Sequence, residues 1–151
     1  MRTRILVLAV LALSLVVVPA ATGGQPAKKT RNLTGKLTMA MIGPNGQSGS
    51  KFAGEFAGRP IGKSAVLFQN TLTGSTSNGK AVIYTKRGLI RVNATNQLEP
   101  QPDGSVNTPG SFKITGGTGR YRGASGNGTF EGGAAANSTV FVLTVNGKIR
   151  Y

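Results

Sequence analysis

From Leu33 to Tyr151, apolar side chains return at every second position in short runs, and the runs are separated by glycine, proline and asparagine. That spacing is the period of a half-buried strand, whereas the three-and-four spacing of an amphipathic helix is absent from the same region. In LTGKLTMAMI, residues 33 to 42, Leu33, Leu37, Met39 and Met41 share one face. Lys51 to Ala57 sets Phe52 and Phe56 on one side and Glu55 on the other, and Lys63 to Leu72 alternates Val66 and Phe68 against Leu67. Lys80 to Thr85 and Gly88 to Ala94 form a pair joined by Lys86-Arg87. Ser111 to Thr115, Gly128 to Gly132 and Thr139 to Val145 supply three further runs.

The punctuation between these runs reads as turns. Gly43-Pro44-Asn45-Gly46 ends the first strand. GSTSNG, residues 74 to 79, reads as a hairpin connection ending in Asn-Gly, and Asn146-Gly147 reads as a turn toward Lys148 to Tyr151. Thr95 to Gly110, with Pro100, Pro102, Pro109 and Asp103-Gly104, reads as a long exposed loop. Seven or eight short strands with such connections predict an antiparallel sandwich or barrel. The chain has no cysteine, so no disulfide can hold it. A closed barrel, which leaves no strand edge unpaired, is the expected way for such a chain to complete its hydrogen bonding.

The amino terminus follows a different pattern. Arg2 and Arg4 precede the apolar run Ile5 to Val18, and Pro19-Ala20-Ala21 follows it. A positive start, a short apolar middle and a small-residue exit describe a cleavable secretory signal. The run is shorter than the roughly 20 apolar residues that a spanning helix needs. The expected organisation is a signal over 1–21, a flexible tether over 22–31 that includes GGQPAKKTR, and a β-barrel domain over 32–151. The mature protein is then secreted and has no membrane span after cleavage.

Charge narrows the chemistry. Lys and Arg total 18 against four Asp and Glu, with no His, for a net charge of +14. Without His or Cys there is no Ser-His triad, no thiol nucleophile and no ordinary zinc site. Four dispersed acids do not make a calcium or magnesium cage, so no metal and no cofactor is expected. The positive balance predicts weak, salt-sensitive contact with anionic surfaces, with no sequence-specific nucleic-acid recognition. Basic residues gather at Lys28, Lys29 and Arg31, at Lys86 and Arg87, and at Arg120 and Arg122 beside Tyr121. Asn32-Leu-Thr, Asn93-Ala-Thr, Asn127-Gly-Thr and Asn137-Ser-Thr match glycosylation acceptors, a pattern that chance supplies in a chain rich in Asn, Gly and Thr.

The stretch FKITGGTGRYRGASGNGTFEGG, Phe112 to Gly133, has the highest local glycine content. A dinucleotide fingerprint fails here, because Arg122 stands where the third glycine belongs and no helix follows. Gly62-Lys63-Ser64 fails equally as a P-loop ending, because Ala57 occupies the earlier glycine position. Glycines that permit a sharp bend, with Tyr121 covering a core edge or a barrel end, account for the stretch better.

Ile114 to Gly132 also resembles the signature of the dirigent and allene oxide cyclase-like barrel proteins, closest to small exported bacterial members. Gly116, Gly117, Thr118, Gly119, Tyr121, Gly123, Ala124 and Gly126 are the matching positions. The resemblance implies an all-β, antiparallel eight-stranded barrel of lipocalin-like shape, assembled as a homo-oligomer. It also implies a small hydrophobic ligand or substrate, handled in the enzymes of the group with the help of acidic residues. Glu55 and Glu131 are the candidate catalytic groups, since both stand on strand-like segments out of phase with Phe52, Phe56 and Phe130. They reach a lumen only if the phenylalanines do not fill it. The phase with the phenylalanines inside is preferred, because an unpaired buried carboxylate is costly. Tyr84, Arg91, Asn93 and Tyr121 are candidate ligand-binding residues. The expected function is a secreted binding or scaffold barrel for a small hydrophobic ligand. A cyclase, isomerase or dirigent-type enzyme is the alternative, and an electrostatic binder of anionic polymers the second alternative.

Overall fold

The period-two runs become strands whose apolar positions turn toward a common axis. The computed structural model describes residues 27–151, so the signal segment 1–21 and the first part of the tether lie outside the described residues. The strands are β1 (Thr30–Pro44), β2 (Ser50–Arg59), β3 (Gly62–Thr73), β4 (Thr76–Thr85), β5 (Gly88–Gln97), β6 (Glu99–Pro100), β7 (Val106–Asn107), β8 (Gly110–Gly117), β9 (Ser125–Ala134) and β10 (Val140–Arg150). One 3-10 turn, Gly119–Tyr121, separates β8 from β9. Among the described residues there is no α-helix.

The eight long strands close into an antiparallel barrel in the order β10-β1-β2-β3-β4-β5-β8-β9, and β9 pairs back onto β10. The short β6 and β7 pair with each other and attach to the end of β9. Closure leaves none of the eight an unpaired edge, which is how a chain without disulfides satisfies its backbone. The strands are staggered as closure of a tilted sheet requires. Pairing that leaves β1 at Gly43 toward Lys51 passes round the wall and rejoins β1 at Asn32.

Inside, Phe52, Phe56, Val66, Ile90, Ile114 and Leu143 belong to one buried apolar cluster. Burying a side chain of this size contributes about 1.5–3 kcal/mol. Glycine makes room for the aromatic members. Phe56 lies over Gly35 and Gly58, Phe68 over Gly79, Phe130 over Gly110, and Phe112 over Gly128 and Gly147. A Cβ on Gly128 would stand 2.7 Å from the Phe112 ring, and one on Gly147 would stand 2.9 Å from it. Each ring thus rests on the backbone of a neighbouring strand, in a seat that any side chain would fill.

These seats overturn two turn assignments. Asn78-Gly79 lies within β4, and the β3–β4 connection is Gly74-Ser75. Asn146-Gly147 lies within β10, which runs unbroken to Arg150. Both Asn-Gly pairs carry a local turn preference, and both glycines are used instead as seats for Phe68 and Phe112. The stretch expected to loop from Thr95 to Gly110 is shorter than its prolines suggest. β5 extends to Gln97, β8 begins at Gly110, and the β6–β7 pair stands between them. At the other end β1 begins at Thr30, inside the stretch read as tether. Lys29 N–H donates to Tyr151 O at 3.1 Å, so the open backbone of β10 draws the pairing outward past Asn32.

Candidate functional site

The barrel encloses a cavity of about 180 Å³. Its wall is apolar along most of its length, with Leu37, Phe52, Val66, Ile83, Val92 and Leu143 among the lining residues. One end is closed. The turn Gly119–Tyr121 folds beneath the strands, where Gly119 adopts φ +56°, a conformation that glycine takes without strain. The turn is tied to the β4–β5 connection by Arg120 N–H to Arg87 O at 2.8 Å and Thr118 N–H to Leu89 O at 2.9 Å. This places Tyr121, 3% exposed, against Tyr151 with ring centroids 4.9 Å apart. Ile90 and Ile149 stand nearby in the same cluster with no exposed surface. Arg31 and Arg120 each lie over the Tyr151 ring, at 5.8 and 5.6 Å from its centroid.

The opposite end is the mouth. Met41, 43% exposed, and the half-buried Leu72, Leu98 and Phe141 line the cavity there. They share the mouth with polar side chains that point inward: Ser50, Asn70, Ser77, Asn96 and Thr108. Asn70 is engaged on both sides of its carboxamide. Its amide donates to Ser77 Oγ at 2.8 Å, its Oδ1 accepts from Ser50 N–H at 2.8 Å, and its backbone carbonyl accepts from the Asn45 amide at 2.9 Å. Thr108 donates to Gly132 O at 3.4 Å. Asn96 differs. It is 9% exposed, lines the cavity, and among the described residues no hydrogen bond engages its carboxamide. Its amide atoms keep solvent contact at the mouth, since Ser64 Oγ is the only fully buried side-chain polar atom without a partner among the described residues, so Asn96 offers a donor and an acceptor to whatever occupies the mouth.

The residues singled out in the sequence fall elsewhere. Phe52 and Phe56 point inward, which turns Glu55 outward, 53% exposed and 3.6 Å from Lys63 Nζ. Glu131 is likewise exposed because Phe130 lines the cavity. Neither carboxylate reaches the lumen. Tyr84, 47% exposed, Arg91 and Asn93 stand on the outer wall. Their positions correct the expectation that they supply lumen contacts, since Ile83, Ile90, Val92 and Ala94 hold the inward phase on those strands. Tyr121 is inside, but it closes the barrel and does not line the cavity.

Asn70 and Asn96 were visible as polar residues in phase with apolar ones, Asn70 with Val66 and Phe68, Asn96 with Val92 and Ala94. Ser77 was hidden by the reading of residues 74–79 as a connection. Among the described residues no group of three or more His, Cys, Asp or Glu side chains stands together as metal ligands would, and no helix is long and apolar enough to cross a membrane. Comparison of the chain with protein-family models, with curated proteins and with solved structures finds no match.

Proposed function

We propose that the protein is an exported binding barrel whose lumen takes one compact apolar molecule carrying a single hydrogen-bonding group. The observation that carries this reading is the cavity of about 180 Å³, apolar along its wall and furnished at its mouth with the unpartnered amide of Asn96. An apolar cavity of about 150 Å³ in another protein stays dry and admits benzene or xenon, whereas pockets for drug-sized molecules run to about 300 Å³ or more. The ligand is therefore on the scale of one substituted ring. Its apolar body packs against residues such as Val66, Val92 and Leu143, and its carbonyl or hydroxyl meets Asn96. The resemblance of Ile114 to Gly132 to the dirigent and allene oxide cyclase-like group agrees with a barrel that holds a small hydrophobic molecule. Steering catalysis of that group's kind calls for an ionisable side chain at the substrate. The cavity lining supplies carboxamides and hydroxyls in that place.

Titration calorimetry tests the reading. The protein is titrated with cyclohexanone and with methylcyclohexane, which have similar size and differ in the oxygen. Saturable binding of the ketone is expected. Asn96→Leu should shift preference toward the hydrocarbon by about 5-fold or more, the worth of one hydrogen bond. Ala94→Leu, which fills the lumen, should abolish both. Failure of the unaltered protein to bind either compound, or undiminished binding by Ala94→Leu, sinks the proposal.

A further inference from the structure

The outer wall carries an order that no local stretch of sequence displays. Around the barrel, Lys51 pairs with Gln69, Gln69 with Lys80, Lys80 with Asn93, Asn93 with Lys113, Lys113 with Asn127, Asn127 with Lys148, and Lys148 with Asn32. Lysine and carboxamide alternate across all eight long strands, and every one of these residues is exposed. Beside this row runs a second, two residues away along six of these strands: Thr71, Asn78, Thr95, Ser111, Thr129 and Asn146, also paired in succession and exposed. Neither row contains an acid. The only ion pair among the described residues joins Lys63 to Glu55, so the four row lysines have no carboxylate partner.

The two rows account for three of the four matches to the glycosylation acceptor. Asn32-Leu33-Thr34, Asn93-Ala94-Thr95 and Asn127-Gly128-Thr129 each place Asn in the first row and Thr two residues along the same outer face. The spacing that matches a glycosylation acceptor is the imprint of two adjacent rows on a strand of period two.

Between the rows, over β3, β4 and β5, lies a shallow, open depression. Gln69, Thr71, Asn78, Lys80, Asn93 and Thr95 line it, with the Thr95 hydroxyl donating to Asn78 Oδ1 at 2.9 Å. Neighbouring strands stand about 4.8 Å apart, so the backbone positions of alternate lysines repeat every ~10 Å along the row, with their side chains spreading outward from the convex wall. That repeat, with an amide between charges and hydroxyls alongside, matches a chain that presents one anion per long unit and many hydroxyls between. A membrane surface would ask for apolar side chains to insert. A nucleic acid would ask for aromatic faces on which bases stack. The exposed large apolar residues, Met41, Ile42, Leu67, Tyr84, Val140 and Val142, all lie off the two rows.

We propose that this track binds an unbranched acidic glycan with one carboxylate or sulfate per disaccharide. The lysines meet the anions, and the carboxamides and hydroxyls meet the sugar hydroxyls. The site is independent of the lumen. The full chain is titrated with fluorescently labelled hyaluronan oligosaccharide at about 50 mM salt, where charge contacts are strong. The triple variant Lys51→Gln/Lys80→Gln/Lys113→Gln should lose about 10-fold or more in affinity. Lys86→Gln/Arg87→Gln/Arg122→Gln, which removes the same charge at the closed end, should lose less than about 3-fold. Asn93→Leu/Asn127→Leu, which leaves the charge intact, should lose about 5-fold, a change that net charge alone does not produce. Circular dichroism establishes that each variant keeps its strands. Equal losses from the two charge variants, an unaffected carboxamide variant, or tighter binding of poly(dT) than of the glycan at the same salt would each overturn the assignment.

Discussion

At the closed end the lumen stops against Tyr121, Tyr151 and two isoleucines with no exposed surface; at the mouth the same strands carry Met41, Leu72 and Phe141 among five inward polar side chains. The two ends are built on different principles. Below, apolar packing is continuous, and charge is held outside it, with Arg31 and Arg120 resting on the outer ring of the tyrosine pair. Above, Asn70 is held by Ser77, Ser50 N–H and Asn45, and Thr108 by the Gly132 carbonyl, whereas no hydrogen bond engages the Asn96 amide. Stability should therefore concentrate at the closed end and recognition at the mouth.

Substitutions at the two ends should have unequal effects. Tyr121→Ala should have the largest effect, destabilising the fold by about 3–5 kcal/mol, the usual cost of removing a large buried ring. Urea denaturation reads this as a lower midpoint, and a loss below about 1 kcal/mol would remove the plug from the account. Gly147→Val comes next. A Cβ at Gly147 would stand 2.8 Å from the Gly128 Cα as well as against Phe112, and backbone on that side cannot swing away. Overpacking of this kind costs about 1–3 kcal/mol. A variant with unchanged midpoint would mean that Phe112 does not occupy the seat. At the mouth, Asn70→Ala strips partners from Ser77 and from Ser50 N–H, and should cost about 1–2 kcal/mol. Should it exceed Tyr121→Ala, the contrast between the ends is inverted. Smallest, and opposite in sign, is Ser64→Ala. The Ser64 hydroxyl is buried on the inner wall without a partner, so its removal should leave the midpoint unchanged or raise it by up to about 1 kcal/mol.

Much of the inner surface was legible residue by residue. Phe52 and Phe56 on one strand, and Ile90 and Val92 on another, fix an inward phase by alternation alone. That phase favoured an outward Glu55, but it left Arg91 a candidate lumen contact until Ile90 and Val92 were seen to line the cavity. Glycine was harder to read. Asn78-Gly79 and Asn146-Gly147 carry a good local reason to turn. Only Phe68 and Phe112 on neighbouring strands make them continue, and contacts across strands are not local in sequence. Asn70 and Asn96 stood in the inward phase, but alternation does not distinguish an amide held by neighbours from one left free. That distinction needed the distances around Ser77 and Ser50. The lysine and carboxamide row required the register of eight strands at once. Asn93, a candidate lumen contact in the sequence, belongs to that row.

Binding at the mouth and closure at the far end both require a lumen that is hollow and apolar between them. A crystal of the protein pressurised with xenon measures this without assuming a ligand. Electron density for xenon is expected inside the barrel, within contact of Val66, Val92 and Leu143, with Tyr121 undisturbed. Xenon absent from the lumen, with Phe52, Phe68 and Phe141 collapsed across it, would contradict the account.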